Sequence, residues 1–139
     1  MSEIAAAQNL TLTPAEMQTR WYYEREKLRL FSAFALLGAN GRVTAAEGAI
    51  DTQYANTYGI RIVLDNYPYA LPEVFPKAWT LHPDVPHKYR NDSLCIMRSD
   101  QWRPHFTVAL VVAKTAIWLG KYELWKRNGH KWPGLGQTH

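Results

Sequence analysis

Apolar side chains recur at helical spacing through the first quarter of the chain. The recurring positions are Met17, Trp21, Leu28, Phe31 and Ala35. Their period predicts an amphipathic helix over residues 14–37, ended by Gly38. Thr13 can cap the first turn, because Pro14 follows directly and Glu16 completes a capping box three residues after the cap.

The middle of the chain alternates apolar and polar positions, which is typical of strands in a half-buried sheet. An Asn40–Gly41 turn precedes an alanine-rich candidate strand over residues 42–50. Residues 58–64 form a stronger candidate, because Ile60 and Ile62 share one face. These segments predict neighbouring strands of one sheet.

Two prolines bracket a further, shorter strand. Pro72 and Pro76 flank Val74 and Phe75, and residues 78–81 can extend this strand. Because proline cannot donate a hydrogen bond to a ladder, the strand is expected near an edge of the sheet. The candidates together predict an antiparallel sheet of three to four strands.

A long segment without periodicity separates the strands from the last helix. Residues 82–104 form a loop of unusual length, and such loops are usually functional or disordered. Large side chains such as Tyr89 and Trp102 can offset the entropy of ordering it, so we expect an ordered loop with Trp102 buried. Residues 107–125 then carry apolar side chains on most faces, which predicts a buried helix.

The order of these elements predicts an α+β layer fold with an N-terminal helix, an antiparallel meander sheet and a C-terminal helix. We predict one domain over residues 1–139, with an N-terminal tail over residues 1–12 and a C-terminal tail over residues 126–139. Within the second tail, Trp132 is expected to pack back on the body of the domain.

Composition restricts the cellular locations and the classes of partner that are expected for the protein. No stretch reaches the roughly 20 apolar residues of a membrane span, and the N-terminus lacks the features of a secretion signal. Cys95 is the only cysteine, so a reducing, cytoplasmic location is the simplest interpretation. The net charge of +4 comes from scattered residues, which does not favour nucleic acid as a partner.

Five short motifs lie between the middle of the sheet and the last helix. They are Tyr67-Pro68-Tyr69, Pro72-Glu73-Val74-Phe75, His82-Pro83-Asp84, Leu94-Cys95-Ile96 and Trp102-Arg103-Pro104. In this order and spacing they resemble the signature of the ubiquitin-conjugating (UBC) enzymes, over roughly residues 14–122. The resemblance implies a UBC-like fold, an active-site loop over residues 82–104 and a thioester carried by Cys95. It implies no cofactor.

Departures from the family pattern favour its bacterial branch. Asp84 stands where the family has asparagine, the stretch from it to Cys95 is longer than usual, and the C-terminal helices are cut short. These features, with the ending Trp132-Pro133-Gly134, resemble the branch found in antiviral defence operons of the CBASS kind. That resemblance implies an acyl partner that is a ubiquitin-like protein or the C-terminus of a cGAS-like nucleotidyltransferase, with an activating enzyme as a further partner.

Cys95 supports two interpretations. A lone cysteine is most often a small buried hydrophobe, and the neighbours Leu94 and Ile96 suit that interpretation. The resemblance favours transthiolation instead, in which the thiolate attacks an incoming thioester and then yields the acyl group to an amine. Positive potential for the thiolate can come from Lys88, Arg90, Arg98 or His105.

Supporting roles fall on polar residues around the cysteine. An ionised Asp84 cannot donate a hydrogen bond to an oxyanion, so it orients the loop, helps to deprotonate an incoming lysine, or is structural. The oxyanion donor is then Asn91, His87 or a backbone amide. His82 is expected to fix a turn beside the site, while His87 and His105 are candidate general bases.

The resemblance also points to partner-binding residues. Tyr69 and His105 lie where the partner-binding loops of the family sit, and the first helix offers Arg20, Lys27 and Arg29 to an activating enzyme. The ordinary alternative for that helix face is a solvated charged surface. No metal is expected, because the histidines and the cysteine lack a paired short motif such as Cys-x-x-Cys.

Three functions follow from these features. The first is a cysteine-dependent conjugating enzyme, and the second is a non-catalytic adaptor with the same fold that binds an operon partner. The third, a small nucleic-acid-binding domain, lacks a stacking motif or a basic stripe. A Cys-His hydrolase is not favoured either, because no cysteine-protease signature surrounds Cys95.

Overall fold

The computed structural model describes residues 11–31 and 33–134. Helix α1 spans Pro14–Leu28, and helix α2 spans Val108–Arg127. Between them lie β1 (Ala35–Ala39), β2 (Arg42–Asp51), β3 (Thr57–Val63), β4 (Glu73–Lys77) and a short 3-10 helix (Ser99–Gln101).

Helix α1 begins where the sequence predicts. The Thr13 hydroxyl accepts a hydrogen bond from the Glu16 amide at 3.1 Å, and the Glu16 carboxylate accepts one from the Thr13 amide at 2.9 Å. Pro14 occupies the first helical position, where its missing N–H costs nothing. This confirms the predicted capping box.

The predicted helix over residues 14–37 is too long. Helix α1 ends at Leu28, and residues 35–37 belong instead to strand β1, which pairs antiparallel with β2. Asn40 and Gly41 close the hairpin with φ values of 55° and 75°, the left-handed conformation that favours these two residue types. Gly38, predicted as the helix end, lies at a β-bulge where a side chain would clash with the neighbouring strand. Alanine and leucine fit a helix as well as a strand, so the pairing with β2 determines that this segment is a strand.

The four strands form an antiparallel meander in the order β1-β2-β3-β4, which confirms the predicted sheet. Ile60 and Ile62 on β3 join Val74 on β4 in the buried core. Strand β4 lies at an edge, as its prolines predict. Ala78 has a φ of 66°, so β4 ends before it and the predicted extension over residues 78–81 is wrong.

Helix α2 passes through the core, as its apolar faces predict. The Thr107 hydroxyl caps it by accepting a hydrogen bond from the Leu110 amide at 3.0 Å. Its buried apolar residues are Val108, Ala109, Val111, Val112, Trp118, Leu119, Tyr122 and Trp125. It continues to Arg127, slightly past the predicted end. The terminal residues 1–10 and 135–139 of the predicted tails lie outside the described part of the chain, which contains no helix long and apolar enough to cross a membrane.

A buried carboxylate joins α1 to the start of α2. Glu24 is fully buried and accepts hydrogen bonds from Arg20 Nε at 2.7 Å and from the Val108 amide at 2.8 Å. The Tyr67 hydroxyl donates to the same carboxylate, and Arg20 also donates to the Phe106 carbonyl at 2.8 Å. The Arg20 guanidinium therefore faces inward, which corrects its predicted placement on an exposed docking face.

Candidate active site

The loop over residues 82–104 is ordered around a small hairpin. Lys88 and Leu94 pair in an isolated antiparallel bridge, and the Tyr89 amide donates to the Ser93 carbonyl at 2.9 Å. We call this segment the Lys88–Leu94 hairpin. Apart from it and the 3-10 helix, the loop has no regular secondary structure, as its lack of periodicity predicts.

Asn91 fixes the tip of the hairpin. Its side-chain oxygen accepts hydrogen bonds from the Ser93 amide at 3.1 Å and the Ser93 hydroxyl at 2.7 Å. Its side-chain nitrogen donates to the Glu73 carboxylate at 2.6 Å, which ties the hairpin to β4. Asn91, one of the three donors predicted for an oxyanion, is therefore engaged in holding the loop.

The backbone around Cys95 is held from two sides. The Leu94 amide donates to the Val74 carbonyl of β4 at 2.8 Å. The Cys95 amide donates to the His87 carbonyl at 2.9 Å, and the Trp118 indole of α2 donates to the same oxygen at 3.0 Å. Sheet and helix thus fix the position of the cysteine.

The Cys95 thiol itself is nearly inaccessible, with 3% of the residue exposed. Burial raises its pKa above the ordinary value, and a hydrogen bond from Tyr89 partly opposes this rise. The thiol is therefore protonated at neutral pH in this conformation, whereas the nucleophile in cysteine chemistry is the thiolate.

Tyr89 contacts the cysteine in the structure, although the sequence predicts it only as an anchor of the loop. Its hydroxyl donates to the Met97 carbonyl at 3.2 Å and lies within hydrogen-bonding reach of the Cys95 thiol. The residue is 41% exposed, so it forms a link between the buried sulfur and solvent. The contact between Tyr89 and Cys95 depends on the Lys88–Leu94 hairpin, and no periodicity in the sequence predicts that hairpin.

An open groove runs beside this thiol–phenol pair. It has a volume of about 580 Å³ and lies between the segment 70–73 and the Lys88–Leu94 hairpin. Its lining residues are Ala70, Leu71, Pro72, Glu73, Tyr89, Arg90, Asn91, Ser93, Leu94 and Ser99. The groove can therefore admit an extended peptide next to Tyr89, with apolar contacts along one wall.

His82 and Asp84 pack together near the end of α2. The Nδ1 atom of His82 accepts a hydrogen bond from the Asp84 amide at 3.1 Å, and the His82 amide donates to the Tyr122 hydroxyl at 2.9 Å. The His82 ring meets the Trp125 ring edge-on, with centroids 5.1 Å apart. His82 thus fixes a turn, as predicted. The Asp84 side chain is exposed and makes no hydrogen bond or ion pair with the described residues.

The other two candidate histidines, His87 and His105, have different surroundings. His87 takes a φ of 61°, and its ring centroid lies 4.9 Å from that of Trp132. Trp132 also packs on Trp118 at 5.4 Å, which confirms that the C-terminal segment returns to the body of the domain. His105 is exposed, with its ring 4.8 Å from that of its neighbour Phe106.

Trp102 anchors the far end of the loop. It is 6% exposed, and its indole N–H donates to the Pro68 carbonyl at 2.8 Å. Its ring lies 6.0 Å from the Tyr67 ring and 5.5 Å from the Phe106 ring. The predicted burial of Trp102 is confirmed, and its principal anchor is the Tyr-Pro turn.

The residues predicted to meet partners lie on the surface, except Arg20. Tyr69 is 46% exposed, and its hydroxyl accepts a hydrogen bond from the Leu12 amide at 2.7 Å. Lys27 is exposed on α1 and Arg29 is exposed at its C-terminal cap, where it pairs with Glu26 at 3.3 Å. Within residues 11–31 and 33–134, no group of three or more His, Cys, Asp or Glu side chains is placed to hold a metal ion.

Comparison with solved structures identifies the fold. The chain is similar to the crystal structure of ubiquitin conjugating enzyme E2 from Plasmodium falciparum, with a TM-score of 0.51 and 22% sequence identity. The match covers 71% of this chain and 96% of that chain. At this identity the likeness shows the fold alone, and it confirms the predicted α+β, UBC-like architecture.

Comparison with protein families identifies the branch. No curated protein matches the sequence significantly. The family model E2-CBASS, described as "Type II CBASS E2 protein", matches residues 22–139, which include the loop, the Lys88–Leu94 hairpin and α2. This agrees with the resemblance carried by the five motifs. The chain belongs to the type II CBASS E2 family.

Proposed function

We propose that Cys95 carries the C-terminus of a partner protein as a thioester and transfers it to an amine in an antiviral defence system. The observation that carries the proposal is the placement of the thiol. The backbone of Cys95 is fixed between β4 and α2, and its sulfur meets a hydroxyl at the wall of an open groove. Membership of an E2 family supports acyl transfer as the chemistry of this thiol.

The reaction takes place in two steps. In the first, the Cys95 thiolate attacks the carbonyl carbon of an activated partner, a new C–S bond forms, and the previous carrier departs with its electron pair. In the second, an amine attacks the same carbon, loses a proton to solvent or a base, and the Cys95 thiolate departs. Loading requires deprotonation, so it speeds up as pH rises toward the raised pKa of the thiol.

The groove beside Tyr89 suits the C-terminal segment of the partner. An extended chain can pass Tyr89 with its side chains against Leu71 and Pro72, and the loop must open at Tyr89 before the last carbonyl reaches the buried sulfur of Cys95. A ubiquitin-like protein or the tail of a cGAS-like nucleotidyltransferase supplies such a segment. Exposed Lys27, Arg29 and Tyr69 then offer surface to an activating enzyme, and a cytoplasmic location keeps the thiol reduced.

A non-catalytic adaptor is the second candidate, and two observations favour it. The thiol is buried with a raised pKa, and Asp84 replaces the amide that the family uses near the oxyanion. Both features lower the reactivity of the resting site. An adaptor binds its partner through the same fold without any covalent adduct.

Intact-protein mass spectrometry separates the two candidates. The protein is incubated with the proteins encoded beside it, including any activating enzyme, and then split into samples with and without hydroxylamine. The proposal predicts an adduct on the protein that hydroxylamine removes. A stable complex in native mass spectrometry, with no covalent adduct across pH 7 to 9, would support the adaptor instead.

A further inference from the structure

Tyr89 connects the wall of the groove with the buried cysteine. Its side chain is 41% exposed on the groove wall, yet its hydroxyl turns inward to the Met97 carbonyl and the Cys95 thiol. The backbone at Tyr89 is fixed by its hydrogen bond to Ser93, inside the Lys88–Leu94 hairpin. A rigid hairpin therefore holds a hydroxyl against the reactive sulfur.

The charged residues expected to support a thiolate are mostly engaged elsewhere. Lys88 pairs with Asp92 at 2.9 Å, and Arg98 pairs with Asp100 at 3.1 Å. Arg90 lines the groove wall, as Glu73 does. The two ion pairs weaken the positive potential that Lys88 and Arg98 supply to Cys95. A directed hydrogen bond then becomes a more effective source of stabilisation.

A phenol suits this position. It is neutral, so placing it beside a buried thiol incurs none of the desolvation penalty that a buried cation incurs. Its hydrogen bond to an anion is about twice as strong as one between neutral groups. Burial raises the pKa of Tyr89 to about 12, with the contact to Cys95 adding to the effect, so the hydroxyl keeps its proton through the neutral range.

We propose that Tyr89 is a catalytic residue that donates a hydrogen bond to Cys95 Sγ whenever the sulfur carries negative charge. This inference rests on the proposed function of Cys95. The thiolate exists twice in the cycle, as the nucleophile before the C–S bond forms and as the leaving group when the amine breaks that bond. In the neutral thioester the hydroxyl returns to the Met97 carbonyl, and its proton is never transferred.

The test compares Tyr89→Phe with Tyr54→Phe, which removes a hydroxyl from the β2–β3 turn. Because the chain has one cysteine, a ¹³Cβ-cysteine label gives a single NMR signal whose shift reports the thiol pKa without any partner. Tyr89→Phe should raise the pKa of Cys95 above that of the parent, since the opposing hydrogen bond is lost. Tyr54→Phe should leave it unchanged.

Kinetics complete the test. Single-turnover loading and discharge should both slow about tenfold or more in Tyr89→Phe, the loss expected for one hydrogen bond to an anion. If the parent forms the thioester and the variant shows an unchanged pKa or unchanged rates, the catalytic role of Tyr89 is wrong. A parent that forms no thioester overturns the proposed function, and the role of Tyr89 with it, whatever the titration shows.

Discussion

The β2–β3 turn and the Cys95 loop both pack against α2, yet they surround a buried ionisable group in opposite ways. Glu123, 2% exposed, accepts hydrogen bonds from Asn56 Nδ2 at 2.5 Å and from the Tyr58 hydroxyl at 2.8 Å, and a further one from Thr52. Burial alone raises the pKa of Glu123, but these donors outweigh it, so the pKa lies below its usual value. At Cys95, 3% exposed, burial prevails and raises the pKa.

This difference separates a structural group from the group that we propose to be reactive. A carboxylate surrounded by donors stays charged and ties the β2–β3 turn to α2 permanently. A thiol given one neutral donor stays protonated, and therefore unreactive, until pH rises or a partner changes its surroundings. Under the proposed function, the surroundings of Cys95 keep the resting thiol protonated, whereas the surroundings of Glu123 stabilise the fold.

The largest expected effect comes from removing the anchor of the Cys95 loop. Trp102→Ala should cost about 3–5 kcal/mol of unfolding free energy, as truncation of a buried tryptophan does. Thioester formation at low temperature should also fall, because the Trp-x-Pro end of the loop loses its attachment to Pro68. Chemical denaturation measures the first effect, with the exposed aromatic truncation Tyr22→Ala as the control. A variant as stable and active as the parent would show that the loop is held by other contacts.

A smaller effect on stability is expected at Glu123, the buried carboxylate that ties the β2–β3 turn to α2. Glu123→Gln should lower the free energy of unfolding by about 1–3 kcal/mol at pH 7. The carboxylate accepts hydrogen bonds from Thr52, Asn56 and Tyr58, and the NH₂ group of glutamine cannot accept them. In the parent, the lowered pKa contributes stability that is present above about pH 4.3 and is lost as pH falls through the folded-state pKa. Urea denaturation from pH 7 to pH 3 should therefore show a flatter profile for the variant, with exposed Glu26→Gln as the control. Equal slopes would contradict the charged state assigned to Glu123.

The smallest effect on stability is expected at Asp84. Asp84→Asn should change the unfolding free energy by less than about 0.5 kcal/mol, because the side chain is exposed. Discharge of a preformed thioester to free lysine should be kept or increased, since an amide can donate to an oxyanion and a carboxylate cannot. The measurement is single-turnover discharge across pH. A loss of more than about a hundredfold, roughly 2.7 kcal/mol, would show that the carboxylate itself is required.

Local patterns in the sequence predict most of the scaffold. The Thr13 capping box, the alternation around Ile60 and Ile62, and the prolines at the edge strand each act through neighbouring residues, so each can be recognised in the sequence. The end of α1 cannot be recognised in this way, because the alanine and leucine residues near position 36 fit a helix as well as a strand. Pairing with β2, a contact between distant residues, decides between the two.

The site follows the same division. The motifs around Cys95 and Trp102 predict the family and the active-site loop, because their order is readable along the chain. The inward turn of Arg20 and the contact of Tyr89 with Cys95 require the packed structure, since each joins residues that share no pattern.

The most direct test of the central claim is the fate of Cys95→Ser in the complete conjugation system. The parent should form an adduct with its partner that hydroxylamine cleaves at neutral pH. The serine variant should keep the fold, because a hydroxyl differs little in volume from the thiol. It should form a more stable oxyester or no adduct at all. Intact-protein mass spectrometry distinguishes these outcomes, and conjugation by the serine variant at the parent's rate and with the parent's lability would contradict the account.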